Sequence, residues 1–180
     1  MPKSSRSMRR SKRPSTSCRR PLVDQEPAFL TDRPFCQHVR VDETSGVATV
    51  RGFYAAIGER PYEETVSPFL DGQVVWHVAG SNPFAGTFQG IPAVLDAMHN
   101  FGSASKGSLR LDTRTLLGHD RHVVAIHEAT ARVGEYEYAA HEVDVFHVSR
   151  GRITQFWSFS EDQAATDRLW TLGARTSRGD

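Results

Sequence analysis

Cysteines and long apolar runs are both scarce in this chain. Its 180 residues include only Cys18 and Cys36, which are too few for a disulfide framework and lack the spacing of a metal site. No run approaches the roughly 20 apolar residues that a membrane-spanning helix needs. Charged residues make up 24% of the chain and hydrophobic residues 38%, as in ordinary globular proteins. The sequence therefore predicts a cytoplasmic protein with no membrane segment and no metal site.

Acidic residues are absent from the first 20 positions, which hold eight basic side chains: Lys3, Arg6, Arg9, Arg10, Lys12, Arg13, Arg19 and Arg20. The net charge of the whole chain is +1, so subtracting these eight positive charges leaves −7 on the remainder. The segment is also rich in serine and proline and cannot bury enough apolar surface to offset the entropy of ordering it. We predict a disordered basic tail over residues 1–40.

The composition of this tail leaves some functions open and argues against others. Its arginine pairs are followed by no apolar segment, which argues against a twin-arginine export signal. An organellar transit peptide fits the Arg/Ser-rich, acid-poor composition, and a start codon placed too far upstream would produce the same pattern. No aromatic residue lies among the basic ones before Phe29, so the tail does not predict a nucleic-acid partner.

Two segments have the apolar spacing of amphipathic helices. One stripe consists of Val47, Val50, Phe53, Tyr54 and Ile57, and the other of Ile91, Val94, Leu95, Met98 and Phe101. Gly58 is a typical stop for the first helix, and Pro92 is typical of the first turn of the second. A short helix after Pro61 and a strand around Val74–Val78 lie between them.

From Ser108 onward the pattern is extended, with four long strands separated by turns at Gly118, Gly134 and Gly151. Ser160 and Gln163 have the spacing of a capping box and predict a terminal helix through Trp170. Helices that precede an antiparallel meander predict an α+β fold in which a curved sheet wraps around the helices. The expected domain spans residues 41–172, followed by a polar end at 173–180.

Two segments carry a family resemblance. The first is VVWHVAGSNPFAGTFQG at Val74–Gly90, and the second is the strand, glycine turn and strand that run from Asp144 to Trp157. Together they resemble the SnoaL-like branch of the NTF2-like superfamily, which includes ketosteroid isomerases and polyketide cyclases. The resemblance covers residues 41–170. It implies a cone-shaped sheet, an apolar pocket inside the cone and a homodimer formed through the sheet.

The resemblance also implies catalytic residues. His77 occupies the position of a pocket histidine on the first strand, where it would shuttle protons or bind a ligand carbonyl. Asp144 occupies the acidic position of an Asp-Val-Phe-Arg-like motif, read here as Asp-Val-Phe-His, and Glu142 lies on the same strand face. A carboxylate facing an apolar pocket would act as acid or base. Strand alternation does not decide whether that face is the inner one or the wet outer one.

Four residues are predicted to bind substrate. His127 lies in a run of small residues typical of a cavity wall, and Trp157 and Phe159 would form an aromatic wall on the last strand. Tyr54 on the first helix would reach the pocket mouth with its hydroxyl. Ordinary core roles for these side chains remain open alternatives.

One departure from the family pattern concerns the last strand. SnoaL-like cyclases typically read Glu-His-Trp-Asp there, whereas this chain reads Gln155-Phe156-Trp157-Ser158. The expected function is acid/base isomerisation, cyclisation or dehydration of a hydrophobic, polyketide- or terpenoid-like molecule without a cofactor. The missing histidine and acid favour an alternative, a binding domain without turnover. A further alternative is an enzyme similar to limonene-epoxide hydrolases, which would use Arg110, Asp112 and Asp144.

Overall fold

A computed structural model describes residues 45–176 of the chain. Its α-helices are α1 (Ser45–Ile57), α2 (Tyr62–Thr65), α3 (Ile91–Ala104) and α4 (Gln163–Thr176), with a 3-10 turn at Ser67–Phe69. Its strands are β1 (Leu70–Val78), β2 (Gly86–Gln89), β3 (Arg110–His119), β4 (His122–Val133), β5 (Tyr136–Ser149) and β6 (Arg152–Ser160). The predicted tail at residues 1–40 lies outside the described residues.

The six strands form one curved sheet in the order β2-β1-β6-β5-β4-β3. Strands β3 to β6 form the predicted antiparallel meander, and β1 joins it by pairing in parallel with β6. This confirms the predicted α+β fold. The sequence analysis missed β2, because its four residues form a short edge strand inside what reads as a glycine-bounded loop. In the described part, no helix is long and apolar enough to cross a membrane.

An aromatic cluster joins α1 to the inner face of the sheet. The ring of Phe53 lies edge-on to Phe146 of β5 and Phe156 of β6, with centroid distances of 5.9 and 5.8 Å. Phe146 and Phe156 stack on each other at 5.4 Å. All three are buried, so the predicted apolar stripe of α1 faces the core. This packing fixes Tyr54, the next residue on α1, against the same part of the sheet.

The terminal helix begins at a different cap from the one predicted. The backbone N–H of Ala165 donates to Asp162 Oδ1 at 2.9 Å, so Asp162 is the N-cap rather than Ser160. Ser160 lies three residues before the first helical residue, Gln163, so its hydroxyl accepts from the backbone N–H of Asp162 at 3.3 Å and does not reach the first turn. The helix also extends to Thr176, six residues beyond Trp170, because Leu169, Trp170 and Ala174 continue its buried face.

Helix α4 is fastened to the loop between β1 and β2 by Asp167. Its carboxylate accepts hydrogen bonds from Ser81 N and Oγ at 3.0 and 2.8 Å, from Asn82 Nδ2 at 2.7 Å and from Gln163 Nε2 at 3.1 Å. Gly80 lies so close that a Cβ there would be 2.2 Å from Asp167 Oδ1. The glycine-rich loop of the first motif therefore anchors α4 to the sheet.

Candidate functional site

A cavity of about 530 Å³ lies between the helices and the inner face of the sheet. Its apolar wall includes Phe53, Ile57, Trp76, Met98, Phe101, Leu109, Leu111, Phe156 and Trp170. Its polar wall includes Tyr54, His127, Glu142, Asp144, Ser158, Ser160 and Thr166, with Arg60 and Arg110 also on the lining. The size and the largely apolar lining are those of a small-molecule site.

Strand β5 turns its two predicted carboxylates into this cavity. Glu142 and Asp144 alternate with Val143 and Val145, and both acids line the cavity wall. Asp144 is only 6% exposed. The strand face that the sequence left undecided is therefore the inner one for both carboxylates.

Tyr54 and Asp144 form the closest polar contact of the site. The tyrosine hydroxyl donates to Asp144 Oδ2 at 2.5 Å, a charge-assisted distance for an O–H donor on a carboxylate. Burial raises the pKa of Tyr54 well above its usual value, and the neighbouring charge of Asp144 raises it further. Tyr54 therefore remains a proton-bearing donor, which leaves Asp144 Oδ1 as the oxygen available to a ligand.

The second carboxylate belongs to a neighbouring network. His127 lies directly across from Glu142 in the β4–β5 register, with Nε2 3.6 Å from Glu142 Oε2. Tyr138 donates to Glu142 Oε1 at 2.8 Å and lies 2.8 Å from the Thr166 hydroxyl of α4. Burial and the charge of Glu142 raise the pKa of Tyr138 to about 12. Glu142 is thus held from two sides and orients His127.

The pKa values of Asp144 and His127 are both shifted upward. Burial raises the pKa of Asp144, although the charge of His127 and hydrogen bonds from Tyr54 and Ser158 act against it. Burial alone would lower the pKa of His127, but the hydrogen bond to Glu142 and the charges of Asp144 and Glu142 outweigh it and raise the pKa. Both groups hold a proton to higher pH than usual, as expected of groups that exchange protons near neutrality.

Two polar atoms in this site have no protein partner. Among the described residues, His127 Nδ1 and Asp144 Oδ1 are the buried side-chain atoms that make no hydrogen bond. His127 is 1% exposed, and both residues line the cavity. Buried polar atoms are nearly always satisfied in folded proteins, so an unpaired donor or acceptor beside a cavity is available to a ligand.

The structure corrects the expected position of His77. It lies on the opposite face of β1 from Trp76 and Val78, which line the cavity. His77 stacks on Trp157 at 5.1 Å, and its Nδ1 lies 3.1 Å from Thr87 Oγ1. Trp157 likewise lies on the outer face and not in the cavity wall, because it is paired with His77 in the β1–β6 register. Neither side chain is near the carboxylates.

Two of the β6 positions at which this chain differs from the family pattern lie inside the cavity. Phe156 and Ser158 are the inward-facing positions of that strand and line the cavity, as does Phe159 at its exposed edge. The Ser158 hydroxyl accepts a hydrogen bond from Trp76 Nε1 at 3.0 Å and is paired with Asp144 across the strands. Ser158, Trp76 and Tyr138 were missed as site residues, and the alternation of β6 around Phe156 was the signal for Ser158.

The arrangement needed for the epoxide-hydrolase alternative is not assembled. Asp112 is paired with Arg114 at 3.0 Å, its side chain is 61% exposed, and it does not line the cavity. Arg110 borders the cavity, but Asp112 and Asp144 do not share a site. The described residues also contain no group of three or more His, Cys, Asp or Glu side chains able to hold a metal ion.

The pKa values of Asp144 and Asp167 are shifted in opposite directions. Replacing each residue by asparagine should therefore change the pH dependence of stability in opposite ways. Because the pKa of Asp144 is raised above its ordinary value of 3.8, its stabilising contribution is present below that pH and is lost as pH rises through the folded pKa. Partial burial works to raise the pKa of Asp167, but the hydrogen bonds from Asn82, Ser81 and Gln163 outweigh it and lower the pKa. The contribution of Asp167 is present above 3.8 and is lost as pH falls through its folded pKa.

We therefore expect the unfolding free energy of Asp144→Asn, relative to wild type, to increase as pH rises above about 4. The same difference for Asp167→Asn should become more unfavourable as pH rises toward about 4 and should then stay constant, because the Asp167 carboxylate is ionised in both the folded and the unfolded state at higher pH. Urea unfolding from pH 3.5 to 8 measures both differences. Parallel pH profiles for the two variants would contradict the assignment of Asp144 as a carboxylate destabilised by burial.

Comparison with known proteins places this geometry in a family. Residues 50–156, more than half of the chain, match the model of the SnoaL-like domain. An uncharacterised protein of Mycobacterium tuberculosis is 27% identical over 122 residues, which are 67% of this chain and 92% of that protein. The structure of Bal32a, from a soil-derived mobile gene cassette, is 26% identical with a TM-score of 0.66, covering 70% of this chain and 96% of that one.

An NTF2-like protein from Burkholderia xenovorans has the same fold. Its TM-score is 0.61 at 20% identity, over 70% of this chain and 95% of that chain. The predicted NTF2-like architecture is therefore confirmed by the fold. The matched residues run from Val50 in α1 into β6, so the chain belongs to the SnoaL-like domain family.

Proposed function

We propose that this protein is a cofactor-independent acid/base catalyst that acts on a hydrophobic, polyketide- or terpenoid-like small molecule. The observation that carries the proposal is the pair of unpartnered buried atoms, His127 Nδ1 and Asp144 Oδ1, in one apolar cavity. A cavity that served only as packing would gain stability by satisfying or replacing these atoms. A carbonyl compound with an acidic neighbouring C–H satisfies both.

The proposed reaction begins with proton removal by Asp144 Oδ1 from the carbon next to a substrate carbonyl. The C–H electron pair moves into a C=C bond, and negative charge develops on the carbonyl oxygen. His127, in its protonated form, donates from Nδ1 to that oxygen, while Glu142 stabilises the imidazolium at Nε2. Return of that proton to another carbon isomerises the substrate, and return to the same carbon after Asp144 has exchanged its proton with water exchanges the substrate hydrogen, in both cases without a redox step.

Tyr54 supports this step without transferring a proton. Its hydrogen bond to Asp144 Oδ2 leaves Oδ1 as the reactive oxygen. The apolar wall lowers the local dielectric, which strengthens every charge interaction in the cavity. This environment makes Asp144 a stronger base than a carboxylate in water.

A binding domain without turnover is the second candidate. The inward positions of β6 are Phe156 and Ser158 rather than a histidine and an acid, which removes a proton-transfer pair on that strand. The fold hosts catalysts and binders alike. This candidate keeps the cavity and the ligand class but gives Asp144 and His127 the role of hydrogen-bonding a ligand.

We also propose that two copies associate through the outer face of the sheet. His77, Trp157 and His147 form a continuous ring contact there, with centroids 5.1 and 4.9 Å apart. Leu117 and Phe159 on strands of the same sheet are 42% and 47% exposed. Exposed apolar and aromatic side chains on one face of a sheet are typical of a subunit interface.

Proton exchange tests the catalytic proposal without a known natural substrate. A panel of apolar cyclic ketones and enones would be incubated with the protein in D₂O, and deuterium at carbons next to the carbonyl would be followed by NMR. We expect exchange above background that Asp144→Asn abolishes and that Asp112→Asn, an acid outside the cavity, retains. Tight binding of panel members with no exchange would favour the binding domain instead.

A further inference from the structure

Two arginines border the cavity close to each other in the fold. Arg60 follows the end of α1, and Arg110 is the first residue of β3. Arg60 lies beside the last turn of α3, where its Nη2 would be 3.1 Å from a Cβ at Gly102. Arg110 lies beside the loop that follows this turn, where its Nη1 donates to Gly107 O at 2.7 Å. The loop itself is closed by a hydrogen bond from Gly107 N to Gly102 O at 2.9 Å.

Neither arginine is neutralised by a carboxylate of the described residues. Arg60 lies over the ring of Tyr62, 4.2 Å from its centroid. Arg110 donates only to the carbonyls of Gly107 and Leu109. By contrast, Arg114, on the same strand as Arg110, contacts both Asp112 and Glu128. A guanidinium has five N–H donors, so both rim arginines keep donors for a ligand.

The position of these charges differs from that of the proposed reactive group. Tyr54, which binds Asp144, lies about 5 Å of helix rise before Ile57, the last residue of α1. Arg60 lies three residues beyond Ile57 along the chain. The chain beyond residue 20 carries a net charge of −7 by subtraction. The domain as a whole therefore repels anions, and any preference for an anion must come from local contacts at this rim.

We propose that the ligand of this cavity is an amphiphilic organic acid. Its carboxylate, or an equivalent anionic group, binds Arg60 and Arg110 at the rim, and its apolar body fills the cavity toward Asp144. The proposal rests on the proposed function only in requiring that the cavity bind a small molecule. It adds the chemical class of the substrate. An anionic anchor would also fix which carbon of the ligand reaches Asp144.

A matched pair of fluorescent probes tests the anchor. The neutral probe is N-phenyl-1-naphthylamine, and the anionic probe is 8-anilinonaphthalene-1-sulfonate, which adds a sulfonate to the same aromatic framework. Competition between the two shows that they share a site. Energy transfer from Trp76 and Trp170 in the cavity wall, measured in a Trp157→Phe background that removes the outer-face tryptophan, identifies that site as the cavity. Each probe is titrated into wild type, Arg60→Gln, Arg110→Gln, the double variant and Arg114→Gln.

We expect wild type to bind the sulfonate more tightly than the neutral probe. Each rim substitution should weaken sulfonate binding by about 5- to 10-fold, the size expected of a partly solvated charged hydrogen bond. Neutral-probe affinity should not change, and Arg114→Gln should behave as wild type. Lysine at either rim position should restore part of the affinity, since it keeps the charge.

The two proposals fail in distinguishable ways. Equal loss of both probes in the rim variants, or sulfonate binding that the rim variants leave unchanged, would overturn the anionic anchor while leaving a ligand cavity in place. Failure of both probes to enter the cavity of wild type would overturn the anchor and the ligand-binding role together. Loss of proton exchange in Asp144→Asn with sulfonate affinity retained supports both proposals.

Discussion

Replacing Asp144 by asparagine is expected to lower kcat/KM for proton exchange by about 10²- to 10⁴-fold, the usual contribution of a positioned general base. Asparagine has nearly the same shape and its amide oxygen can still accept the Tyr54 hydroxyl, so the cavity should keep its form. An amide cannot accept a proton at Oδ1, however. The loss should therefore appear in kcat, while the affinity for a neutral ligand should change little.

Variants of three other residues make this prediction specific to Asp144. Tyr54→Phe should cost less than Asp144→Asn, because it removes a hydrogen bond to the base and not the base itself. His127→Gln should impair the reaction by removing the cationic donor for the carbonyl oxygen, whereas His77→Ala should not, because His77 lies on the outer face. If His77→Ala abolished exchange and Asp144→Asn did not, the site would have been assigned to the wrong face of the sheet.

The fold was predictable from this sequence because its signals agree with one another. The stripe through Val50 and Phe53 has helical spacing and is buried as expected, and Pro92 opens a helix that the structure also begins there. Glycine turns separate strands long enough to pair in only one order. The short edge strand β2 carries no such repeated signal, since four residues allow neither period to be recognised.

The site was predicted less well, for a reason that lies in strand geometry. Alternation tells which residues share a face but not which face is inside. Glu142 and Asp144 were correctly grouped and are found in the cavity wall, yet on β1 the resemblance selected His77 while the structure turns Trp76 inward. On β6 the inner face was equally undecided, and Trp157 was selected as a site residue. The structure places its neighbours Phe156 and Ser158 in the cavity instead.

The polar groups of this cavity are concentrated on β4 and β5. β6 contributes the hydroxyls of Ser158 and Ser160, and Ser158 accepts a hydrogen bond from Trp76 at the position where the family pattern has an acid. His127, Glu142 and Asp144 are brought together by the β4–β5 register, which pairs His127 with Glu142. No local sequence pattern connects them, because 15 to 17 residues and a turn separate the histidine from the two acids. Only the pairing of the strands makes them a site.

Replacing Phe146 by alanine is expected to lower the free energy of unfolding by about 3–5 kcal/mol, as for other fully buried phenylalanines. Its side chain is 0% exposed, and it contacts the rings of Phe53, Tyr54 and Phe156 at centroid distances of 5.4 to 5.9 Å. The substitution removes the centre of this cluster and leaves a void that the surrounding rings cannot fill without moving. Urea or thermal unfolding measures the loss, with Phe159→Ala, 47% exposed, as the matched control that should change stability by less than about 1 kcal/mol.

The same substitution separates positioning from chemistry. Phe146 lies two residues from Asp144 on the inner face of β5 and is edge-on to Tyr54 at 5.8 Å, so its ring packs against the donor of the closest polar contact in the site. We expect Phe146→Leu, which refills most of the volume, to recover more than half of the lost stability. If Phe146→Leu also recovers exchange activity in proportion, Phe146 is a positioning residue. If stability recovers and activity does not, the flat face of the ring itself is needed to orient Tyr54 toward Asp144, since leucine fills space but presents no aromatic face.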